Sequence, residues 1–253
     1  MPLSDHTLTT IQALTGLTFS TFSLIHLTGH SLATISFRLA DSAIFANREY
    51  YQIPYWEPVL VGGVVIVHAA AGAVKAYRRR ARKRVAAAKR KGDDEGSGNE
   101  ENGGVLKKTE SETVKGLRYH RWSGYVLGLF YGGHVYATRI NPIRVLPDPS
   151  VVDLTYAAYT MHWLPVWFPA YYLALGTAGL YHTFFGIHQS LVHFKVIKPT
   201  TRPWTKILYG CTAVMASTVA ALCGVYETVP IPLKAKWDFL QSTYVGGSGV
   251  ALG

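Results

Sequence analysis

Apolar residues in this chain are concentrated in five long segments, and most of the charged residues lie between them. An α-helix needs about 20 predominantly apolar residues to cross a bilayer. Each segment reaches that length, so the pattern predicts an all-α membrane protein with five transmembrane helices. The predicted spans cover about residues 10–37, 57–77, 119–140, 163–194 and 206–226.

The first four segments contain an internal repeat. When Gly16 is aligned with Gly124, each preceded by a small hydroxyl residue, His26 falls opposite His134, ten residues further along in both copies. A shared spacing of this kind is typical of a duplicated structural unit.

The second helix of each predicted repeat also carries a histidine. His68 and His182 are each followed four residues later by a glycine, Gly72 and Gly186. A duplicated pair of helices keeps the same membrane orientation in both copies. We therefore predict two tandem two-helix repeats plus a fifth helix. The predicted organisation is a first repeat at 10–77, a basic then acidic disordered loop at 78–118, a second repeat at 119–194, the fifth helix at 206–226 and a C-terminal tail at 227–253.

The third segment carries glycines at four-residue intervals, Gly124, Gly128 and Gly132. Small residues on one helix face let a neighbouring helix approach closely. On a helical wheel of about 100° per residue, His134 lies about 120° from the centre of this stripe. The third helix is therefore predicted to pack through one face and to present its histidine on another.

The net charge of +10 does not by itself indicate nucleic-acid binding, because the basic residues cluster beside the ends of the predicted helices. At the ends of membrane helices, anionic lipid headgroups are a simpler partner for basic residues than nucleic acid is. The basic run over residues 78–91 is predicted to bind anionic lipid or a protein partner, or to act only as a topology determinant. Cys211 and Cys223 lie twelve residues apart on one predicted helix, too far apart for a disulfide.

Depth along the predicted helices sorts the four histidines into two pairs. At a rise of about 1.5 Å per residue, His26 lies about 24 Å from the basic end of its helix and His134 about 22 Å. His68 and His182 lie only about 14 to 18 Å from theirs. Each pair, His26 with His134 and His68 with His182, takes one histidine from each repeat.

Histidine pairs on facing helices suit an iron porphyrin, because neutral imidazole is a good axial ligand for haem iron. His26, His134, His68 and His182 are therefore predicted ligands of one or two haem b groups, with His30 as a substitute for His26. The alternative is a set of buried histidines hydrogen-bonded to neighbouring groups, in a bundle packed through its glycines. Four glycines could give a porphyrin room between the helices: Gly72, Gly133, Gly179 and Gly186. Four more histidines are predicted to be headgroup or structural residues: His120, His162, His188 and His193.

Two short motifs carry a family resemblance. The segment HRWSG over residues 120–124 and the segment YHTFFGI over 181–187 resemble the cytochrome b membrane-anchor subunits of succinate dehydrogenase and fumarate reductase. The resemblance implies that His182 ligates haem and that Arg121 lies near quinone and a haem propionate. Leu117 stands where that family has a serine that helps to bind quinone.

The doubled layout resembles a second family in the same superfamily. Five spans with a long charged loop between the halves are similar to the fungal mitochondrial outer-membrane adaptor, over about residues 10–226 and most clearly over HRWSGYVLGLFYGGHVYATR. That resemblance implies a multi-pass adaptor in mitochondrial lipid homeostasis and membrane contact, which recruits a bridge-like lipid-transfer protein through a Pro-x-Pro motif. The candidate motifs here are Pro147-Asp148-Pro149 and Pro230-Ile231-Pro232.

Several catalytic signatures are missing from the sequence. The predicted spans contain no Asp or Glu near mid-membrane, and the chain has no phosphate-binding glycine loop, zinc-type histidine-glutamate motif or nucleophile elbow. A self-contained enzyme is therefore not expected. Two functions remain: a mitochondrial membrane adaptor with haem as a candidate cofactor, and a b-type haem anchor of a succinate dehydrogenase-like quinone oxidoreductase.

Overall fold

The computed structural model describes residues 3–94 and 110–244, and every regular element within these two stretches is helical. The α-helices of this part of the chain are α1 (Asp5–Ser31), α2 (Phe37–Tyr51), α3 (Val64–Asp94), α4 (Glu112–Val135), α5 (Asn141–Val145), α6 (Leu154–Trp163), α7 (Trp167–His193), α8 (Trp204–Leu222) and α9 (Lys234–Ser242). Two segments are π-helical. Pro58–Gly63 leads directly into α3, and Tyr136–Ile140 directly follows α4.

Local sequence explains where the long helices begin. The hydroxyl of Ser4 accepts a hydrogen bond from the Thr7 backbone N–H, and Ser111 caps α4 in the same way. Hydroxyl side chains at this position satisfy one of the unpaired N–H groups of the first turn. α7 begins two residues after Pro165, and Pro169 lies in its first turn, where the missing N–H costs nothing.

The long helices pack side by side and alternate in direction along the chain. α1 contacts both α3 and α7, α4 packs against α7, and α8 packs against both α7 and α4. The basic end of the bundle contains the start of α1, the end of α3 and the start of α4. The opposite end, which we call the capped end, is covered by the short helices α2, α5, α6 and α9.

Three helices of the described residues are long and apolar enough to cross a membrane: Asp5–Thr34, Pro58–Ala88 and Trp204–Leu222. They correspond to the first, second and fifth predicted spans. The third and fourth predicted spans lie on α4 and α7, which are not among these three. The described part of the chain is therefore all-helical and contains candidate membrane-spanning helices.

The capped end differs from the sequence-based prediction. The first span was predicted to run to residue 37, but α1 gives way to a single 3₁₀ turn at Leu32–Thr34, and a separate helix, α2, begins at Phe37. Two apolar clusters hold the short helices in place, one joining α2, α6 and the end of α8, the other joining α6 and α9. The connections at this end, and the tail as far as residue 244, are thus folded parts of the structure.

The predicted loop at 78–118 is also partly helical. α3 continues without a break to Asp94, so the basic run lies on a helix, and α4 has already begun at Glu112. Arginine, lysine and alanine dominate this run and all favour helix. Residues 95–109, which include most of the acidic stretch, lie outside the described residues.

Candidate functional site

His68 on α3 and His182 on α7 face each other near the basic end of the bundle. Their ring centroids are 6.0 Å apart and the ring planes are inclined by 77°. The two helices come from different halves of the chain and both pack against α1. We call these two residues the basic-end pair.

One ring nitrogen of each basic-end histidine is held by a backbone carbonyl. His68 Nδ1 lies 3.1 Å from the Gln12 carbonyl oxygen, and His182 Nδ1 lies 3.2 Å from the His120 carbonyl oxygen. A carbonyl oxygen can only accept, so Nδ1 carries the proton in both rings. In a neutral imidazole, Nε2 then keeps the lone pair that a metal ion needs, and this is the usual arrangement of a metal-binding histidine.

A hydroxyl group supports each of these Nδ1 atoms as well. Thr15 Oγ1 lies 3.2 Å from His68 Nδ1, and Ser123 Oγ lies 3.2 Å from His182 Nδ1. Each hydroxyl also donates to a carbonyl of its own helix. The two imidazoles therefore have matched partners at closely similar distances.

A glycine follows each of these hydroxyl residues and allows the imidazole to approach the helix. A Cβ atom at Gly16 would lie 3.2 Å from His68 Cε1, and one at Gly124 would lie 3.2 Å from His182 Cε1. Contacts this short require the ring to shift, so a larger residue at either position would displace the histidine. These are the two glycines from which the repeat was aligned.

The other two histidines, His26 on α1 and His134 on α4, form what we call the capped-end pair. Their ring centroids are 6.2 Å apart and the planes are inclined by 74°. Aromatic rings surround this pair: Phe22 stacks on His26 at 5.2 Å, and Tyr172 meets His134 edge-on at 6.3 Å. The structure thus brings together the same two pairs that depth had grouped.

His30, the predicted substitute ligand, lies next to the capped-end pair. Its ring centroid is 4.5 Å from that of His26, and its Nδ1 lies 2.9 Å from the His26 carbonyl oxygen. A direct ring contact with His134 is recorded for His26 but not for His30 within the described residues. His26 is therefore the better placed of the two to share a ligand with His134.

Both pairs have the separation expected of two imidazoles on one metal ion. Metal–imidazole bonds of about 2 Å each, plus roughly 1 Å from each nitrogen to its ring centre, place two such centroids about 6 Å apart. The part of the chain that the structure describes contains no group of three or more His, Cys, Asp or Glu arranged to hold a metal ion. A porphyrin iron needs only two ligands from the protein, a number that one pair of histidines can supply.

Arg121 is not part of either histidine pair. It lies exposed on α4, with Arg79 as an electrostatic neighbour. His120, the residue before it, was predicted to be a headgroup or structural residue, yet its ring stacks on His182 at 4.0 Å and its buried Nδ1 has no partner among the described residues. His120 thus belongs to the surroundings of the basic-end pair through both its carbonyl and its ring.

The remaining histidines lie outside the two pairs. His162 Nδ1 bonds to the carbonyl of Ala158 in its own helix, and His193 Nε2 lies 2.9 Å from Thr10 Oγ1. His188 meets Trp204 edge-on at 5.1 Å. These contacts agree with structural roles.

The predicted glycine packing surface is wrong in part. A Cβ at Gly128 or Gly132 would meet no heavy atom within 4 Å, so these two glycines do not join α4 to a neighbouring helix of the described residues. The same open space surrounds Gly133, one of the glycines predicted to make room. Among the glycines predicted to make room, Gly179 contacts Leu27 and Gly186 contacts His120, at 3.2 and 3.7 Å from a built Cβ. Among these glycines of α4, only Gly124 contacts a histidine, His182 on α7.

Sequence reasoning missed the groups that orient the basic-end rings. The dipeptides ending at Gly16 and Gly124 were used to align the repeat, but no role was given to their hydroxyl residues. The matched spacing of Thr15 and Ser123 in the two halves was the signal that could have predicted their role. No sequence signal marks the carbonyls of Gln12 and His120, because every residue has a carbonyl.

Comparison with known proteins identifies no relative. No family model, curated protein or solved structure matches this chain. The histidine pairs and their surroundings are therefore the features of the molecule that bear on its function.

Proposed function

We propose that the protein is a multi-pass membrane protein that holds haem b between histidines from its two halves. The observation that carries the proposal is the matched orientation of His68 and His182. In both rings a carbonyl fixes the proton on Nδ1 and leaves Nε2 as the nitrogen able to bind iron.

The proposed architecture has five transmembrane helices arranged as two tandem repeats and a fifth helix. Matched contacts support the repeat, since Gly16 and Gly124 approach the two histidines at the same distance. A further match comes from the second helices, where the Gln12 side chain packs on Gly72 and the His120 ring packs on Gly186. α4 has 24 residues and α7 has 27, which is long enough for the two additional spans.

The chain's own residues would hold and orient the cofactor. His68 and His182 would hold one haem, and His26 and His134 would hold a second. The hydroxyls of Thr15 and Ser123 would add to the hydrogen bonds that fix the basic-end rings. Haem supplies a one-electron carrier when it is bound.

We propose a mitochondrial membrane adaptor in lipid homeostasis, located in the outer membrane, as the role of this haem-holding scaffold. Support comes from the resemblance over residues 10–226 and from Leu117. This side chain packs against the apolar cluster that contains Tyr181 and Trp204, where the resembling quinone-binding anchors have a serine. An apolar contact at that position favours a scaffold over a quinone oxidoreductase anchor.

The two Pro-x-Pro candidates differ in accessibility. Ile231 packs against the apolar cluster of α6 and α9, so the motif around it is partly engaged. Pro147 and Asp148 are exposed. If a lipid-transfer protein is recruited through such a motif, the segment around Asp148 is the better candidate.

The haem proposal is tested by a reduced-minus-oxidised absorption spectrum of the detergent-purified protein, expressed with added haem. We expect a b-type spectrum that His68→Ala/His182→Ala and His26→Ala/His134→Ala each remove in part. His162→Ala is the matched control, because His162 bonds within its own helix, and it should leave the spectrum unchanged. A wild-type protein without haem would reject the proposal.

The adaptor role is tested separately in cells that lack the protein. If both double histidine variants restore mitochondrial lipid-transfer contacts as well as the wild type does, the adaptor role does not require haem. Co-purification of a dehydrogenase with a redox-active haem, and no contact defect on deletion, would instead identify an electron-transfer anchor.

A further inference from the structure

A basic groove lies at the basic end of the bundle, between the first turn of α1 and the end of α3. Its volume is about 380 Å³, and it is lined by Asp5, Lys75, Arg79, Arg82, Lys83 and Ala86. The lining contains four cations and one carboxylate. We call this feature the cationic groove.

The single carboxylate of the groove is already engaged. Asp5 Oδ1 accepts a hydrogen bond from Arg78 Nη1 at 2.8 Å, and Asp5 Oδ2 accepts one from Arg82. Asp5 therefore balances two guanidinium groups on one side of α3. It leaves the other cations of the groove without a carboxylate.

Those other cations, Lys75, Arg79 and Lys83, follow one another at four-residue steps along one face of α3. None of the three forms an ion pair with a carboxylate in residues 3–94 or 110–244. The ammonium group of Lys75 donates instead to Thr9 Oγ1, an uncharged acceptor, at 2.9 Å. Like charges four residues apart destabilise a helix, so this face would be stabilised by an anion that bridges them.

The depth of the groove indicates where that anion would come from. Lys75 lies seven residues beyond His68, or about 10 Å along the helix toward the basic end. This is where a helix leaves the hydrocarbon region and meets the lipid headgroups. A guanidinium group matches the geometry of phosphate oxygens, and Arg79 is half-buried in the groove wall.

We propose that the cationic groove is a binding site for a phosphate group, carried either by an anionic phospholipid or by a soluble phosphate compound. Lys75 and Arg79 form the inner part of the site and Lys83 the outer part. The site does not require haem, so it extends the proposed function without depending on it.

Retention of lipid in detergent tests the site, because no membrane surface is then present to attract lipid by general charge. The full-length protein is mixed with phosphatidic acid and phosphatidylcholine in detergent, and bound lipid is counted by native mass spectrometry. The test variant is Arg79→Gln/Lys83→Gln. The control is Arg80→Gln/Arg84→Gln, which removes the same charge at the same spacing from exposed positions outside the groove.

We expect the wild type to retain phosphatidic acid over phosphatidylcholine. The groove variant should lose about tenfold in phosphatidic acid occupancy, and the control less than about twofold. Inorganic phosphate is then added at 10 mM, about a hundredfold excess over the phosphatidic acid. Displacement of the lipid favours a soluble phosphate compound as the ligand, whereas retention of the lipid favours the phospholipid headgroup. Equal loss in the two variants, or no binding of either phosphate source, would overturn the site.

The haem spectrum of the same preparations keeps the two proposals apart. An unchanged spectrum in the groove variant, together with the same elution volume as the wild type, shows that the bundle is intact. Failure of the haem proposal would leave the lipid measurement unaffected.

Discussion

The basic-end and capped-end pairs present the same ligand chemistry but differ in what holds their rings. His68 and His182 are fixed by hydrogen bonds to carbonyls and hydroxyls. His26 and His134 are placed mainly by contacts with other rings. Hydrogen bonds fix both the proton position and the ring orientation, whereas ring packing fixes the orientation alone. If the pairs hold haem as proposed, the basic-end pair is therefore the better organised of the two before haem binds.

The largest expected difference between the pairs is in haem release. When haem-loaded protein is mixed with excess apomyoglobin, we expect two phases, with the slow phase at least about tenfold slower than the fast one. His182→Ala should eliminate the slow phase, and His134→Ala should eliminate the fast phase. Loss of the slow phase in His134→Ala would mean that the order of the two pairs is reversed.

A smaller effect is expected from removing one hydroxyl beside the basic-end pair. Thr15→Val keeps the Gln12 carbonyl but removes the second partner of His68 Nδ1, so the slow phase should accelerate by about three- to tenfold. Thr18→Val is the control, because Thr18 donates only to the Leu14 carbonyl of its own helix and is exposed. Equal acceleration in both variants would point to a general effect on α1.

At the capped end of the bundle, an ion pair links the two halves of the chain. Arg139, five residues beyond His134, binds Glu57 through two hydrogen bonds of 2.7 Å, and both side chains are partly buried. Each lies next to or within a π-helical segment, and such segments often occur at functional sites.

Breaking this ion pair should give the smallest of the three effects on haem. We expect Arg139→Gln to accelerate the fast phase about twofold and to cost about 1 to 3 kcal/mol of unfolding free energy, measured by thermal unfolding in detergent. Lys234→Gln breaks the exposed Lys234–Asp238 pair and should cost less than about 0.5 kcal/mol. An accelerated slow phase in Arg139→Gln would show that the two pairs are coupled.

At the basic end, a carboxylate joins α4 to α8. Glu112 accepts hydrogen bonds from the Lys115 ammonium and from the Thr205 backbone N–H. The Lys115 bond, followed by the Thr205 bond, lowers the pKa of Glu112 below its ordinary value. Glu112 thus stays ionised across the neutral range and continues to cap the first turn of α8.

Much of the histidine arrangement could be predicted from the sequence, because depth in a membrane helix depends only on residue number. That rule grouped His26 with His134 and His68 with His182. It could not choose the ring nitrogen that carries the proton in His68 and His182, since that depends on the carbonyls of Gln12 and His120. Nor could it separate Gly124, which contacts a histidine, from Gly128, which contacts nothing.

The short helices of the capped end were harder to predict. α2 and α6 bury their apolar faces against each other and against α8, and α9 packs on α6 through Trp237. Each is too short or too polar to be recognised as a span, so these stretches were predicted to be connections or left unassigned. The helical extension of α3 could have been predicted, because its residues favour helix and no proline interrupts it.

The unbroken course of α3 gives the protein a built-in spacer. Between Tyr77 and Asp94 the helix rises about 25 Å, more than half the thickness of a bilayer. The distance of Asp94 from the end of the predicted span at Tyr77 is therefore fixed by a continuous helix. A soluble partner that binds there would be held at a nearly constant distance from the lipid surface.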